Sequence, residues 1–172
     1  MVDLFVYHFA ADSGTPGASG IRIVSVEEAT EKQRISRTVL EALPEWFGIP
    51  EAREQYIKES AEQPFFAALD AEKAIGFLCL KETGKETVEL SVLGVLKDYH
   101  GKGVGRKLFE RAKKATRNYG YSFMQVKTVQ MGRYPEYDAT NSFYRSLGFK
   151  EFEVFPTLWD ERNPCQIYVM SL

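Results

Sequence analysis

The residues with most to offer chemically lie between Glu89 and Arg117. An apolar run, Glu89-Leu-Ser-Val-Leu-Gly-Val95, leads into Leu96-Lys-Asp-Tyr-His-Gly-Lys-Gly-Val-Gly105, and a basic segment follows. Read as a strand, a glycine-rich turn and a helix start, this stretch exposes backbone N–H groups beside the positive end of a helix dipole. Gly101, Gly103 and Gly105 carry no Cβ, so an anion can approach the main chain closely. The expected chemistry is a phosphate or pyrophosphate cradle, with Lys102, Arg106 and Lys107 supplying flanking charge. It is not a P-loop, because Arg106-Lys107-Leu108 follows Gly105 where GxxxxGK[ST] needs lysine and then a hydroxyl. The dinucleotide fingerprint GxGxxG fails too, because Gly105 comes one residue too early. From Lys97 to Arg117 eight basic residues stand against Asp98 and Glu110, a local charge of +6 in a chain whose total is −2.

Other chemistries find little support. Cys79 and Cys165 are the only two cysteines, too few for a disulfide framework or a four-ligand zinc site, and both fall in apolar runs that suit small core residues. His8 and His100 are the only histidines, so no metal is expected. Nothing supports a Ser/His/Asp or Cys/His nucleophile. The overall negative charge argues against a general nucleic-acid binder. No apolar run approaches the ~20 residues of a membrane span, and a basic secretory start is missing, so a reduced, cytoplasmic protein is expected.

The elements that must position the cradle can be read from periodicity. Residues 12–20 read as a Gly/Ser linker, and Leu4–Phe9 before it as an extra strand or an appended segment, which leaves one domain over residues 21–172. Ile21–Val24 is a strand candidate. Ser25 and Glu28 fit a capping box, and Ile35, Val39, Ala42 and Leu43 give the next helix an apolar stripe. Pro50 opens a helix to Ala61. Phe65–Leu69, Ala74–Leu80 and Val88–Val95 read as strands. A helix over Val104–Tyr119 carries Val104, Leu108, Ala112, Ala115 and Tyr119 on one face and the basic residues on the other. Phe123–Val129 is a strand, Ala139–Leu147 a helix stopped by Gly148, and Phe152–Phe155 and Gln166–Met170 are the last strands. The order predicts an α/β (α+β) layer fold around one mixed sheet.

The pattern [Gln/Arg]-x-x-Gly-x-[Gly/Ala] matches His100-Gly-Lys-Gly103-Val-Gly105. Later, Thr140-Asn-Ser-Phe-Tyr144-Arg-Ser-Leu-Gly148-Phe149 has the form of a short helix with a tyrosine that ends in Leu-Gly-Phe before a strand. On these two motifs and the element order, residues 21–172 resemble the GNAT superfamily of acyl-CoA-dependent N-acyltransferases. Leu43-Pro-Glu-Trp-Phe-Gly-Ile-Pro50 and the segment from Leu158-Trp159 to Asn163-Pro164 look like a bacterial branch of it. The resemblance implies a mostly antiparallel sheet with splayed fourth and fifth strands and helices on both faces. It implies acetyl-CoA as cosubstrate, with main-chain groups of Leu93 and Val95 along the pantetheine arm. The pyrophosphate would be held by His100, Gly101, Lys102, Gly103, Val104, Gly105 and Arg106. Two positions depart from the family pattern: His100 replaces the usual glutamine or arginine, and Tyr137 stands where many relatives have asparagine, with Asn141 one turn later.

Acyl transfer to an amine needs a base, because a free ammonium has a pKa of roughly 10. It needs a donor for the thioester oxygen, for which the N–H of Val95 is the candidate, and an acid for the leaving thiolate. Tyr144 is placed by its motif as that acid; the competing reading is an aromatic on a buried helix face. Glu89 lies six residues before Val95, where some relatives carry a catalytic glutamate, and strand alternation gives it the face of Val95. Its competing reading is an exposed strand carboxylate. Asp138 and His100 are weaker base candidates. With no nucleophile, direct transfer through a ternary complex is expected. The acceptor is a primary amine, on a small molecule or a protein. Glu41, Glu45, Glu51, Glu54, Glu59 and Glu62, with Trp46, Phe47 and Tyr56, would border its mouth by resemblance, although charged helix faces commonly serve solubility alone. No nucleic-acid or membrane partner is expected, and a homodimer is left open. The alternative function is a non-catalytic CoA-binding sensor or scaffold.

Overall fold

The computed structural model describes residues 20–172; the N-terminal strand and linker readings fall almost wholly outside them. In chain order the elements are β1 (Arg22–Ser25), α1 (Ala29–Glu41), α2 (Pro50–Ser60), β2 (Phe65–Asp70), β3 (Lys73–Gly84), β4 (Thr87–Val95), α3 (Val104–Asn118), β5 (Phe123–Val129), α4 (Pro135–Ser146), β6 (Lys150–Asp160) and β7 (Asn163–Ser171). A 3-10 turn, Lys97–Tyr99, stands between β4 and α3. The seven strands form one mixed sheet in the order β1-β2-β3-β4-β5-β7-β6. β4 and β5 run parallel, joined from Thr87↔Phe123 to Leu90↔Val126, the first four residues of each strand. β1–β2, β2–β3, β5–β7 and β6–β7 are antiparallel.

The chain divides into two compact units, one built from residues up to Lys81 with Val92–Ala115, the other from Glu82–Ser91 with Thr116–Leu172. In the first, Ile35, Val39 and Leu40 of α1 and Ile57 of α2 are buried in a cluster with Phe65, Phe77 and Val92 of the sheet. The rings of Phe65 and Phe77 stack at 5.0 Å. Lys32 is fully buried in α1 and donates from Nζ to the carbonyls of Gln63 (2.9 Å) and Ala61 (3.3 Å), which lie just past the end of α2. Burial lowers its pKa from the usual 10.5. In the second unit, α4 packs on β5 and β7 through Asn141. Its Nδ2 donates to the carbonyls of Val129 (2.9 Å) and Tyr137 (2.7 Å), and its Oδ1 accepts from Tyr168 Oη (2.7 Å).

Several local expectations need correction. Ser25 does not cap α1, because it is still paired with Phe66 in the sheet. Glu28 is the cap, with extended backbone and a carboxylate that accepts from the amides of Thr30 (3.0 Å) and Glu31 (2.6 Å). Ala42 lies past the helix and is exposed, and Leu40 takes the place expected for it on the buried stripe. Tyr119 falls just after α3 and is only half-buried; Phe109 and Thr116 are buried instead. α4 begins at Pro135, four residues before the expected Ala139, because proline at the first helical position needs no N–H partner. β6 is an edge strand of 11 residues, well beyond Phe152–Phe155, and exposes Phe152, Leu158 and Trp159. The stop of α4 is as expected. Gly148 has φ 101°, with Gly148 N–H bonded to Arg145 O and Phe149 N–H to Tyr144 O, a Schellman closure.

Candidate active site

The cradle forms where a strand end meets a helix start. Val95 ends β4, Leu96 N–H is held by the carbonyl of Ile75 (2.8 Å), and the turn Lys97–Tyr99 aims the chain at α3. Gly101 and Gly103 have φ of 72° and 77°, the left-handed region that other residues adopt at a cost. A Cβ built on either meets nothing within 4 Å. Both glycines therefore also bend the main chain, and no described atom of the chain crowds the space above them. Gly105 lies inside α3. The first helical bond ahead of α3 is Lys107 N–H to Gly103 O, 3.0 Å. The amides of Val104 and Gly105 precede it and have no carbonyl within the helix to bond. α3 has no acid in its first turn, and Lys102, Arg106 and Lys107 are exposed around it. Val104 contributes only main chain, because its side chain is buried.

Leu93 and Val95 are half-buried on the same side of β4. The His100 ring turns back on that strand: Nε2 is 2.7 Å from the Val95 carbonyl, which requires the protonated nitrogen there. Its ring meets Trp46 edge to face at 5.8 Å. Lys97 pairs with Glu45, so the α1–α2 connector is tied to the cradle at two points. Lys102 lies over the Tyr99 ring at 5.2 Å, and Tyr99 donates to Asp70 (2.6 Å). Of the six acids from Glu41 to Glu62, four are paired with cations: Glu41 and Glu54 with Arg37, Glu45 with Lys97, and Glu59 with Lys81. That is the pattern of a solvated helix face.

Glu89 lies on β4 directly opposite Gln125 of β5, and its side chain is only 11% exposed. Its Oε2 accepts from Gln125 Nε2 at 2.9 Å and from Lys127 Nζ at 2.8 Å. The expected alternative of an exposed strand carboxylate does not hold. Gln125 and Lys127 were missed at the sequence level, although their period-2 spacing on a strand was a signal that both share one face. Tyr144 is buried in α4, its ring 5.7 Å from that of Phe143 and 6.0 Å from that of Phe149. Asp138 is committed to a turn, accepting from Gly132 N–H at 2.6 Å. The thiols of Cys79 and Cys165 are both fully buried. Among the described residues, no three of the histidines, cysteines, aspartates and glutamates come together to hold a metal. No helix there is long and apolar enough to cross a membrane.

Residues 60–151 match the family model described as the acetyltransferase (GNAT) domain, and the match covers more than half of the chain. This chain belongs to the GNAT acetyltransferase family. It is thereby an acyltransferase, and its mixed sheet with flanking helices is the GNAT fold. Solved GNAT structures superpose along most of its length. A GNAT-family protein of Desulfovibrio desulfuricans does so at 18% identity with a TM-score of 0.77, over 88% of this chain and 99% of that one. A GNAT acetyltransferase of Elizabethkingia anophelis with acetyl-CoA bound gives 17% identity and a TM-score of 0.69, over 88% and 98%. PaiA N-acetyltransferase of Thermoplasma acidophilum in complex with coenzyme A gives 20% and 0.68, over 89% and 99%. At these identities the likeness speaks to the fold. No curated protein matches the sequence.

Proposed function

We propose that this GNAT protein transfers the acetyl group of acetyl-CoA directly to a primary amine through a ternary complex. The observation that carries the reading is the turn before α3. Left-handed Gly101 and Gly103 open a 15-residue helix whose first amides have no helical acceptor and whose first turn holds no acid. Such a terminus takes a pyrophosphate. Amides from Gly101 to Arg106 hold it, with Lys102 and Arg106 adding charge, and the His100 ring donates to the carbonyl of Val95 at the end of β4. The pantetheine arm runs along the main chain of Leu93 and Val95. The Val95 N–H is the donor for the thioester oxygen. The binding of acetyl-CoA or CoA by solved members of the fold supports the same cosubstrate.

In this reading Glu89 takes one proton from the acceptor ammonium, and the amine attacks the thioester carbonyl. The C–S bond breaks as Tyr144 protonates the departing thiolate, and the nitrogen's second proton returns to the Tyr144 oxygen through solvent. The acceptor is a primary amine on a small molecule or a protein, reached in the cytoplasm, and no nucleic acid is involved. The test is thiol release from acetyl-CoA against a panel of primary amines, with acetylated product identified by mass. Amine-dependent release with one acetyl group on nitrogen is expected. CoA binding with no amine-dependent release from any member would overturn the catalytic reading and leave a sensor.

A further inference from the structure

Glu89 is held from one side only. Both of its hydrogen bonds converge on Oε2, and Oε1 receives none from the described residues. The register explains why: Gln125 is the residue opposite Glu89 in the parallel β4–β5 pair, and Lys127, two residues on along the same face, is its diagonal neighbour. The cluster is well enclosed, with Glu89 11% and Lys127 31% exposed at the side chain. In such a place an unpaired carboxylate would be expensive, and the ammonium offsets that cost. Two donors on one oxygen do more than compensate charge. They fix the rotation of the carboxylate, so that the remaining oxygen has a single direction to face.

We propose that Lys127 and Gln125 are positioning residues for the base, clamping Glu89 Oε2 so that Oε1 is the atom that accepts the proton. This rests on the reading of Glu89 as the base. One proton leaves the acceptor nitrogen for Oε1, and the lone pair so freed forms the N–C bond. The C–S bond breaks as Tyr144 protonates the thiolate, and the nitrogen's second proton returns to the Tyr144 oxygen through solvent. The carboxylic acid later releases its proton to solvent. Without the clamp the carboxylate turns freely, and only a fraction of its orientations meet the amine. Lys127 therefore acts through Glu89.

The experiment measures single-turnover thiol release for wild type, Glu89→Gln, Lys127→Met, Lys127→Arg, Gln125→Met and Glu89→Gln/Lys127→Met. Glycinamide, tyramine and spermidine serve as amine probes. Where none of these is accepted, the slow hydrolysis of acetyl-CoA is followed instead, since water too must lose a proton. A base contributes about 10²–10⁴-fold, so Glu89→Gln should fall by at least ~100-fold. Lys127→Met should fall by roughly tenfold or more and Gln125→Met by a few-fold, with acetyl-CoA affinity unchanged in both. Lys127→Arg should restore most of the rate. The double variant should be no slower than Glu89→Gln alone, since the clamp has nothing left to orient. Equal losses from Lys127→Met with and without Glu89 would overturn the proposal, as would wild-type turnover in Lys127→Met. Should Lys127→Met fail to fold, wild-type turnover in a folded Gln125→Met overturns it alone. A Glu89→Gln protein at the wild-type rate would instead remove the base reading itself, and the proposal with it.

Discussion

The cradle before α3 and the carboxylate station around Glu89 are built on opposite principles. In the proposed cradle the chemistry would be main chain: amides of consecutive residues, aimed by two left-handed glycines, with exposed lysines and an arginine as outliers. At Glu89 it is side chain, made from residues 36 positions apart that meet only because β4 and β5 pair in one register. The first should tolerate changes of side chain and fail on changes of backbone. The second should behave the other way round.

The sharpest break of that contrast is Gly103→Val. Valine at φ 77° is strained by at least about 1–2 kcal/mol, which a domain can survive, but the turn must re-form to relieve it. Calorimetry should find CoA affinity down by roughly 100-fold or more in a protein with an unchanged circular dichroism spectrum. Undiminished affinity would mean that the amides of this turn do not hold the pyrophosphate. Tyr144→Phe comes next and asks whether the second unit has side-chain chemistry beyond Glu89. The ring and its packing on Phe143 and Phe149 are kept. Acetyl-CoA affinity should stay within a few-fold, and single-turnover thiol release should fall by about tenfold. Equal rates would make Tyr144 a core aromatic.

Smaller still is Lys102→Ala. An exposed side chain at the cradle adds screened charge to contacts the backbone makes, so CoA affinity should fall less than about fivefold, and by less again at high salt. A loss as large as that of Gly103→Val would show that side chains dominate both regions. The last test expects almost no effect. Burial pushes the Cys165 thiol from its usual 9.0 up to about 11, and that of buried Cys79 further in the same direction. Native protein should resist maleimide at neutral pH, and both thiols should react once unfolded. Because the folded thiol keeps its proton after the unfolded one has lost it, stability from Cys165 is intact below about pH 9 and declines as pH rises through about 11.

By itself, the sequence determined what depends on neighbours in the chain. The glycines at 101 and 103, the apolar stripe through Val104, Leu108, Ala112 and Ala115, and the stop at Gly148 are local and legible. So are the strand over Phe123–Val129 and the order of elements. Even there, local signals competed: Ser25 had the chemistry of a cap, but sheet pairing claimed it and Glu28 capped the helix. The tertiary structure decided where side chains point and what they meet. It turned His100 onto the Val95 carbonyl, neutralised most of the acids between Glu41 and Glu62, and enclosed Glu89. The reason is reach. A turn or a helix stop is settled within a few residues, whereas a carboxylate's partners are set by strand register, and register is a property of the packed sheet.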